Sequence, residues 1–424
     1  MARPVKKKTR WQKVRKLFND IHLWLGLVSG LIVVAVCLSG TIYVFSTELT
    51  ERSAPHLYKV TAPAGAVKIP VDKLVQQVKD AFPGHTLTSI YIPGSSTRTY
   101  RLSLKKEGDK EARPVSYFVN PYTGNIPGNS NEKNGTKEFM SNMFSLHRWL
   151  LLDKIEKPLI KGTTNRELGS MITGWATILF TLGCITGLVI WFPQKVKHWR
   201  QGLKIKWKAS WKRLNHDLHN TLAFYALIFL LLMGLTGPQW SFDWYRTGLQ
   251  KTLGTYKPKD APKEKQPVSA LTDSAGNTPA SLQQYLAVAD TALPYAGDYT
   301  ISLPADAAGT VTISKYKTGF FAPAASDRLT LDQYSAAVLK KDIFKEKPFN
   351  QRVAGSIKAL HVGNVYGTFT KIIYFIACLI ATTLPITGTL IWINKLKQKR
   401  RKGTRDRNQE AVIEKEAARE AVAE

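Results

Sequence analysis

Acidic residues are scarce in this chain and cysteines scarcer. It carries 31 Asp and Glu against 60 Lys and Arg, a formal charge of +29. The three cysteines, Cys37, Cys184 and Cys378, all fall inside apolar runs. None can staple an external domain, which excludes a disulfide scaffold and makes each a small buried hydrophobe. No Gly-x-Gly-x-x-Gly fingerprint opens a βαβ unit, so no flavin or nicotinamide site is expected. No Asp or Glu interrupts the long apolar runs, which argues against a proton path through them. The positive charge is not spread as on a nucleic-acid-binding surface. Much of it lies in "RPVKKKTRWQKVRK", "KVKHWRQGLKIKWKASWKRL" and "KLKQKRRKGTRDR", each abutting an apolar run. That is the pattern of cytoplasmic anchoring beside a membrane, and nucleic acid is not an expected partner.

Four runs reach the roughly 20 residues that a helix needs to cross a bilayer core: Ile21–Phe45, Met171–Phe192, Leu218–Trp240 and Ile372–Ile393. Trp24, Trp175, Trp191, Trp240 and Trp392 sit near their ends, as interfacial aromatics do. The first run is too long for a secretion signal and lacks a small-x-small cleavage site, so it reads as an uncleaved anchor. The basic blocks place both termini and the central loop in the cytoplasm. The expected domains are 1–45 (basic N-terminus and span), 46–170 (external), 171–192 (span), 193–217 (basic loop), 218–240 (span), 241–371 (external), 372–393 (span) and 394–424 (cytoplasmic tail).

The two external segments share a plan. In the first, "VDKLVQQVKDAF" has helical spacing, and "TLTSIYIP", "RTYRLSLKK" and "VSYFVNPYTGNI" alternate as strands. In the second, "SLQQYLAVADTAL" precedes "DYTISLPA", "GTVTISKYK" and "DRLTLDQYSAAVL". The turn "NPYTG" of the first is matched in the second by "DQYSA", without the Pro and Gly. The spans repeat too. "IHLWLGLVSGLIVVAVCLSG" and "LHNTLAFYALIFLLLMGLTG" each open on an apolar residue and His and close on Leu-Ser/Thr-Gly. "ITGLVIWFP" and "ITGTLIWIN" end the second and fourth spans, and "SLHRW" and "ALHVG" lie upstream of them. The predicted fold is therefore an α-helical membrane protein: a four-span bundle of two parallel repeats, with two small external α+β modules.

Parallel repeats are related by an axis along the membrane normal. Equivalent residues then share a depth, so His22 faces His219 near the cytoplasmic boundary and His147 faces His361 near the external one. A lone histidine at a helix end is commonly a half-solvated headgroup-level residue, but ionisable groups paired at membrane depth are costly and usually functional. Two neutral imidazoles across a bundle can hold a metal, relay protons or ligate a haem from both faces. No cysteine cluster or acid completes a zinc site. Gly26, Ser29, Gly30, Ala223 and Ala226 offer either room for a flat macrocycle or ordinary small-residue helix packing. His216, three residues before His219, is expected as a propionate contact or alternative ligand. Arg148 is either a propionate partner or an interfacial anchor. His56, His85 and His198 are expected in solvent.

The "LH…LTG" spans, the "YFVNPYTGNI" turn and the duplicated layout resemble the PepSY-associated transmembrane helix family over nearly the whole chain. The resemblance implies a multi-pass protein of the bacterial cytoplasmic membrane with PepSY modules outside. Some members are ferric-siderophore reductases that carry b-type haem between helices. Carried over, the axial ligands of two haems would be His22, His219, His147 and His361. The family's Asp-Pro-x-Thr-Gly turn would be Asn120–Gly124. Electrons would pass from a quinol or cytoplasmic reductant to a periplasmic acceptor, by resemblance a ferric siderophore. PepSY modules are also associated with peptidase inhibition, which leaves a membrane-anchored regulator as the alternative. A metal or siderophore permease is a third reading, disfavoured by spans without acids or breaks.

Overall fold

A computed structural model describes residues 9–62, 64–109, 111, 113–193, 196–258, 260–262, 265–270 and 278–423. The first eight residues of the N-terminal basic block, and Lys195 of the central one, lie outside the described residues. The chain divides into two compact units. The first comprises Met1–Thr41, Phe144–Phe242 and Phe375–Glu424; the second comprises Ile42–Met143 and Asp243–Tyr374.

Among the described residues, four helices are long and apolar enough to cross a membrane: Arg10–Tyr43, Asn165–Trp191, Trp211–Trp240 and Gly367–Gln409, hereafter spans 1 to 4. In the first unit their large apolar side chains point outward. Trp24, Leu31, Leu182, Tyr225, Ile228 and Ile386 are exposed, whereas Ser29, Ser39, Thr173, Thr181 and Thr236 are buried. A water-soluble bundle would show the reverse. The buried hydroxyls are satisfied inside their own helices, as Ser29 Oγ donates to the Leu25 carbonyl and Ser39 Oγ to that of Ala35, each at 2.7 Å. Small residues let the helices close up. A Cβ on Gly30 would sit 3.3 Å from Pro385 Cβ, and one on Gly234 would run into Thr181. Ala226, Leu230, Ala377, Ala381 and Leu384 form the interior cluster.

The second unit overturns the expected fold class. The chain is 57% helix and 14% strand and is not purely a helical bundle. The strands are β1 (His85–Ile92), β2 (Tyr100–Lys106), β3 (Val115–Val119), β4 (Gly128–Asn129), β5 (Gly297–Ser302), β6 (Thr310–Lys317), β7 (Ser326–Asp332) and β8 (Val338–Asp342). They form one antiparallel sheet in the order β4-β3-β2-β1-β5-β6-β7-β8. The two expected modules are the two halves of this sheet, joined where Ile90 pairs with Ile301 and Tyr91 with Thr300. Apart, β1 and β5 would each be an open edge of unpaired amides; pairing them removes both.

The halves also share one core. Leu74 and Val78 of helix Val71–Ala81, and Tyr285 and Ala289 of helix Leu282–Ala292, pack with Ile90, Leu102, Ile301, Ile313, Leu329 and Leu331. The first helix caps the second, since Asp72 accepts from the amides of Leu282 (2.8 Å) and Gln283 (3.2 Å). Acceptors are favourable there because the first amides of a helix have no internal partner.

The matched turns keep one geometry despite the lost Pro and Gly. Asn120 Oδ1 accepts from Tyr122 N, and Asp332 Oδ1 from Tyr334 N, both at 2.9 Å. Gly124 has φ +74°, and Ala336 adopts φ +58° at the equivalent place.

Candidate functional site

In the first unit the structure brings His22 and His219 together. Their ring centres are 6.3 Å apart, with the planes at 78°. Each ring is held from behind by the neighbouring even-numbered span. His22 Nδ1 lies 3.0 Å from the Gly183 carbonyl and 3.1 Å from Thr186 Oγ1 of span 2. His219 Nδ1 lies 2.9 Å from Thr387 Oγ1 of span 4.

Both threonines belong to the repeated Ile-Thr-Gly, and the glycine that follows makes room for the ring. A Cβ at Gly187 would stand 3.2 Å from His22 Cε1, and one at Gly388 would stand 3.2 Å from His219 Cε1. Side chains at membrane helix interfaces are normally kept small for helix–helix approach; here the approach is between helix and imidazole.

The tautomers follow from the partners. A carbonyl can only accept, so Nδ1 of His22 carries the proton it gives to Gly183. Thr387 spends its own proton on the Thr383 carbonyl at 2.9 Å, so its oxygen accepts from His219. Each Nε2 is left with a lone pair. This is the outer-shell arrangement common to metal-binding histidines, in which the second ring nitrogen donates to a carbonyl or hydroxyl.

His219 sits in a π-helical turn, Leu218–Leu222, while span 1 runs through His22 as ordinary α-helix. Single π turns recur at functional positions because the extra residue re-aims the side chains. In the α-helical segment Trp211–Asp217 just before the π turn, Asn215 is buried and donates to the Thr387 carbonyl at 3.1 Å, tying spans 3 and 4.

Both rings line a cavity of about 960 Å³ within the bundle. This is at the upper end of the 300–1,000 Å³ common for small-molecule sites. Gly26, Ser29 and Ala223 line it, Ala223 also packing against the interior cluster, whereas Gly30 and Ala226 serve helix packing. Arg15, Arg213 and Lys395 add positive charge to the wall. His216 also lines it, with its ring nitrogens 3.1 Å from Asn220 Nδ2 and its Nδ1 3.7 Å from Asp217. Asp217 is itself buried and accepts from Arg213 Nε at 2.9 Å.

His147 belongs to the same unit but stands elsewhere along span 1. Its Nδ1 lies 2.8 Å from the Val36 carbonyl, and a Cβ on Gly40 would meet the ring at 3.0 Å. Val36 is about four turns beyond His22, or about 21 Å along the axis. Thus the Leu-Ser-Gly that closes the first apolar run seats a histidine, as Ile-Thr-Gly does. Arg148 donates to the Trp240 carbonyl at 3.3 Å and does not line the cavity of His22 and His219. His361 lies in the second unit, on helix Ile357–Val362, which ends at Gly363 with φ +75°. Among the described residues, no group of three or more His, Cys, Asp or Glu side chains is arranged to hold a metal ion.

The family described as the PepSY-associated TM region matches residues 20–395. That stretch contains all four spans' apolar segments, the sheet and the histidines above. The chain belongs to this PepSY-associated family. It is accordingly a membrane protein whose spanning helices meet lipid. No curated protein matches the chain. Within this PepSY-associated chain, sequence reasoning found the histidines but missed Thr186, Gly187, Thr387 and Gly388 as their supports. The signal was present: Ile-Thr-Gly occurs at equivalent places in spans 2 and 4, where it reads as a mark of duplication alone.

Proposed function

We propose that the chain is a haem-bearing electron carrier of the bacterial cytoplasmic membrane, with both termini in the cytoplasm. The observation that carries the reading is the His22–His219 pair, held from behind at both Nδ1 atoms. Two imidazoles that shared one first-row metal ion through nitrogens at about 2.0–2.1 Å would have their ring centres about 6.3 Å apart. The ring centres here are 6.3 Å apart. The tautomers present Nε2 lone pairs, and the cavity wall offers Arg15 and Lys395 to acidic substituents, Arg213 being paired with Asp217. When bound, haem supplies a one-electron redox couple whose range is set by its axial ligands. The protein's part is to hold the two imidazoles, fix their protons on Nδ1, and keep the site within an apolar bundle. On the strength of the sequence repeat, we extend the proposal to His147 and His361 as ligands of a second haem. The donor is then a quinol or a cytoplasmic reductant, since the chain has no dinucleotide fingerprint. The acceptor is a ferric siderophore, whose iron loosens from hard oxygen ligands on reduction.

The absorption spectrum of the purified protein tests this reading. A Soret band that shifts on dithionite reduction supports it. A protein that stays colourless after supply with haem refutes it and favours the non-catalytic PepSY regulator of peptidases.

A further inference from the structure

In the second unit, the connection between β6 and β7 carries two adjacent phenylalanines that the fold leaves outside. Phe320 is 50% exposed and Phe321 64%, and both gather around Phe369, itself 39% exposed. Ring centres are 4.9 Å apart for Phe320–Phe321 and 5.0 Å for Phe321–Phe369. An exposed cluster of three aromatic rings calls for a partner.

The backbone determines where this cluster lies. Ala324 N donates to the Val365 carbonyl at 3.1 Å, Pro323 bridges Tyr366, and Phe369 N donates to the Phe320 carbonyl at 3.3 Å. Gly367, at φ +57°, has no space for a Cβ, which would stand 2.9 Å from the Gly319 carbonyl oxygen. The hairpin is therefore fixed to the first turn of span 4, which begins at Gly367. Phe369 is about 4.5 Å along the axis from Ile372, where the continuous apolar run starts. That is the depth at which interfacial aromatics settle, with rings among acyl chains and polar edges at the headgroups.

We propose that the Gly319–Pro323 hairpin is a membrane-anchoring element. It inserts Phe320 and Phe321 into the interfacial layer of the bilayer that span 4 crosses, and so gives the sheet an attachment to lipid besides its covalent one. Continuity with the span selects lipid over a protein partner, because the same cluster contains a residue of the spanning helix. Shallow apolar insertion of this kind reaches about 5–10 Å into the boundary region.

The test uses the full chain in phosphatidylcholine nanodiscs, with Phe321→Cys labelled with bimane and Lys106→Cys at the exposed end of β2 as control. Unsubstituted protein corrects for labelling of the native cysteines, and Phe320→Cys gives a second reading should the first variant fold poorly. Lipid bearing a nitroxide near the headgroup should quench the hairpin probe more than aqueous iodide does, with emission shifted to the blue. The control should show the opposite ratio. Equal iodide quenching at both sites overturns the proposal. So does a hairpin probe shielded from both quenchers, the outcome expected of a second copy or another protein.

Discussion

Replacing Thr387 or Thr186 by valine tests the histidine arrangement, because each hydroxyl backs one ring of the pair. At Thr387, valine keeps the shape and removes only the hydroxyl that accepts from His219 Nδ1 at 2.9 Å. The Leu384 carbonyl, three residues earlier in span 4, also acts on that ring, so the donor loses one of two acceptors. That costs less than the roughly 1–3 kcal/mol of a donor left wholly unpaired. His22 is backed in the same way, since Thr186→Val leaves the Gly183 carbonyl at 3.0 Å. Loss of an outer-shell partner typically weakens metal binding about 10–100-fold. With one acceptor left behind each ring, Thr387→Val and Thr186→Val should each weaken haem retention by about 10-fold or less, to similar extents. The redox potential responds as well. An Nδ1–H bond enriches the imidazole in electrons and favours ferric iron, so its loss raises the midpoint; about 1 kcal/mol corresponds to about 43 mV for one electron. Spectroelectrochemical titration and haem retention of the purified variants read both effects. No change in either variant, or a change in one alone, would refute the assigned hydrogen bonds even if the protein binds haem.

Four further outcomes are expected. His22→Ala should lower haem per chain by about half while a second spectral component persists; loss of all haem would contradict two independent sites. Gly169→Ala would place a Cβ 2.2 Å from the Trp149 carbonyl oxygen, two residues from His147. Overpacking against backbone costs about 1–3 kcal/mol, so its melting temperature in detergent should fall. Gly183→Ala, which meets nothing within 4 Å, should not lower it. In the sheet, Gly124→Ala brings a left-handed residue and a clash with Gln77, and should destabilise by about 1–2 kcal/mol. Ala336→Gly removes a strained φ of +58° and should be neutral or stabilising in chemical denaturation. Lastly, burial, reinforced by the bond to Asp298, pushes the Tyr91 phenol up to about 12. A raised folded pKa means that the native state holds its proton longer than the unfolded chain, whose tyrosine titrates near 10. Stability from this group is full below about pH 10 and declines as pH rises towards 12. Tyr91→Phe should flatten that alkaline decline, and an unchanged pH profile would count against the Asp298 contact.

Much of the local structure was legible from residue order. The helical spacing of "VDKLVQQVKDAF" corresponds to helix Val71–Ala81, and the alternation in "GTVTISKYK" to β6 at Thr310–Lys317. The apolar runs correspond to the four spans, although span 1 extends back to Arg10, since lysines and arginines sustain a helix beyond the hydrocarbon layer. The turn at Asn120 was read from its Pro and Gly. Its counterpart at Asp332 lacks both and still forms, because the Asx hydrogen bonds of the first residue carry the geometry and Ala336 tolerates positive φ.

Hydrophobicity and period act over a few residues, and in this chain they determined the spans, the sheet-forming segments, the duplication and the histidines that open the apolar runs. Two matters were left to the folded chain. The first was that β1 and β5, some two hundred residues apart, pair edge to edge, so that one sheet stands where two modules were expected. The second was that a carbonyl 161 residues from His22, and a threonine 168 from His219, would set the imidazole protons. Both depend on which hydrogen-bonding group finds which partner across a long chain separation, and that choice is made by the packing of whole elements rather than by any local pattern.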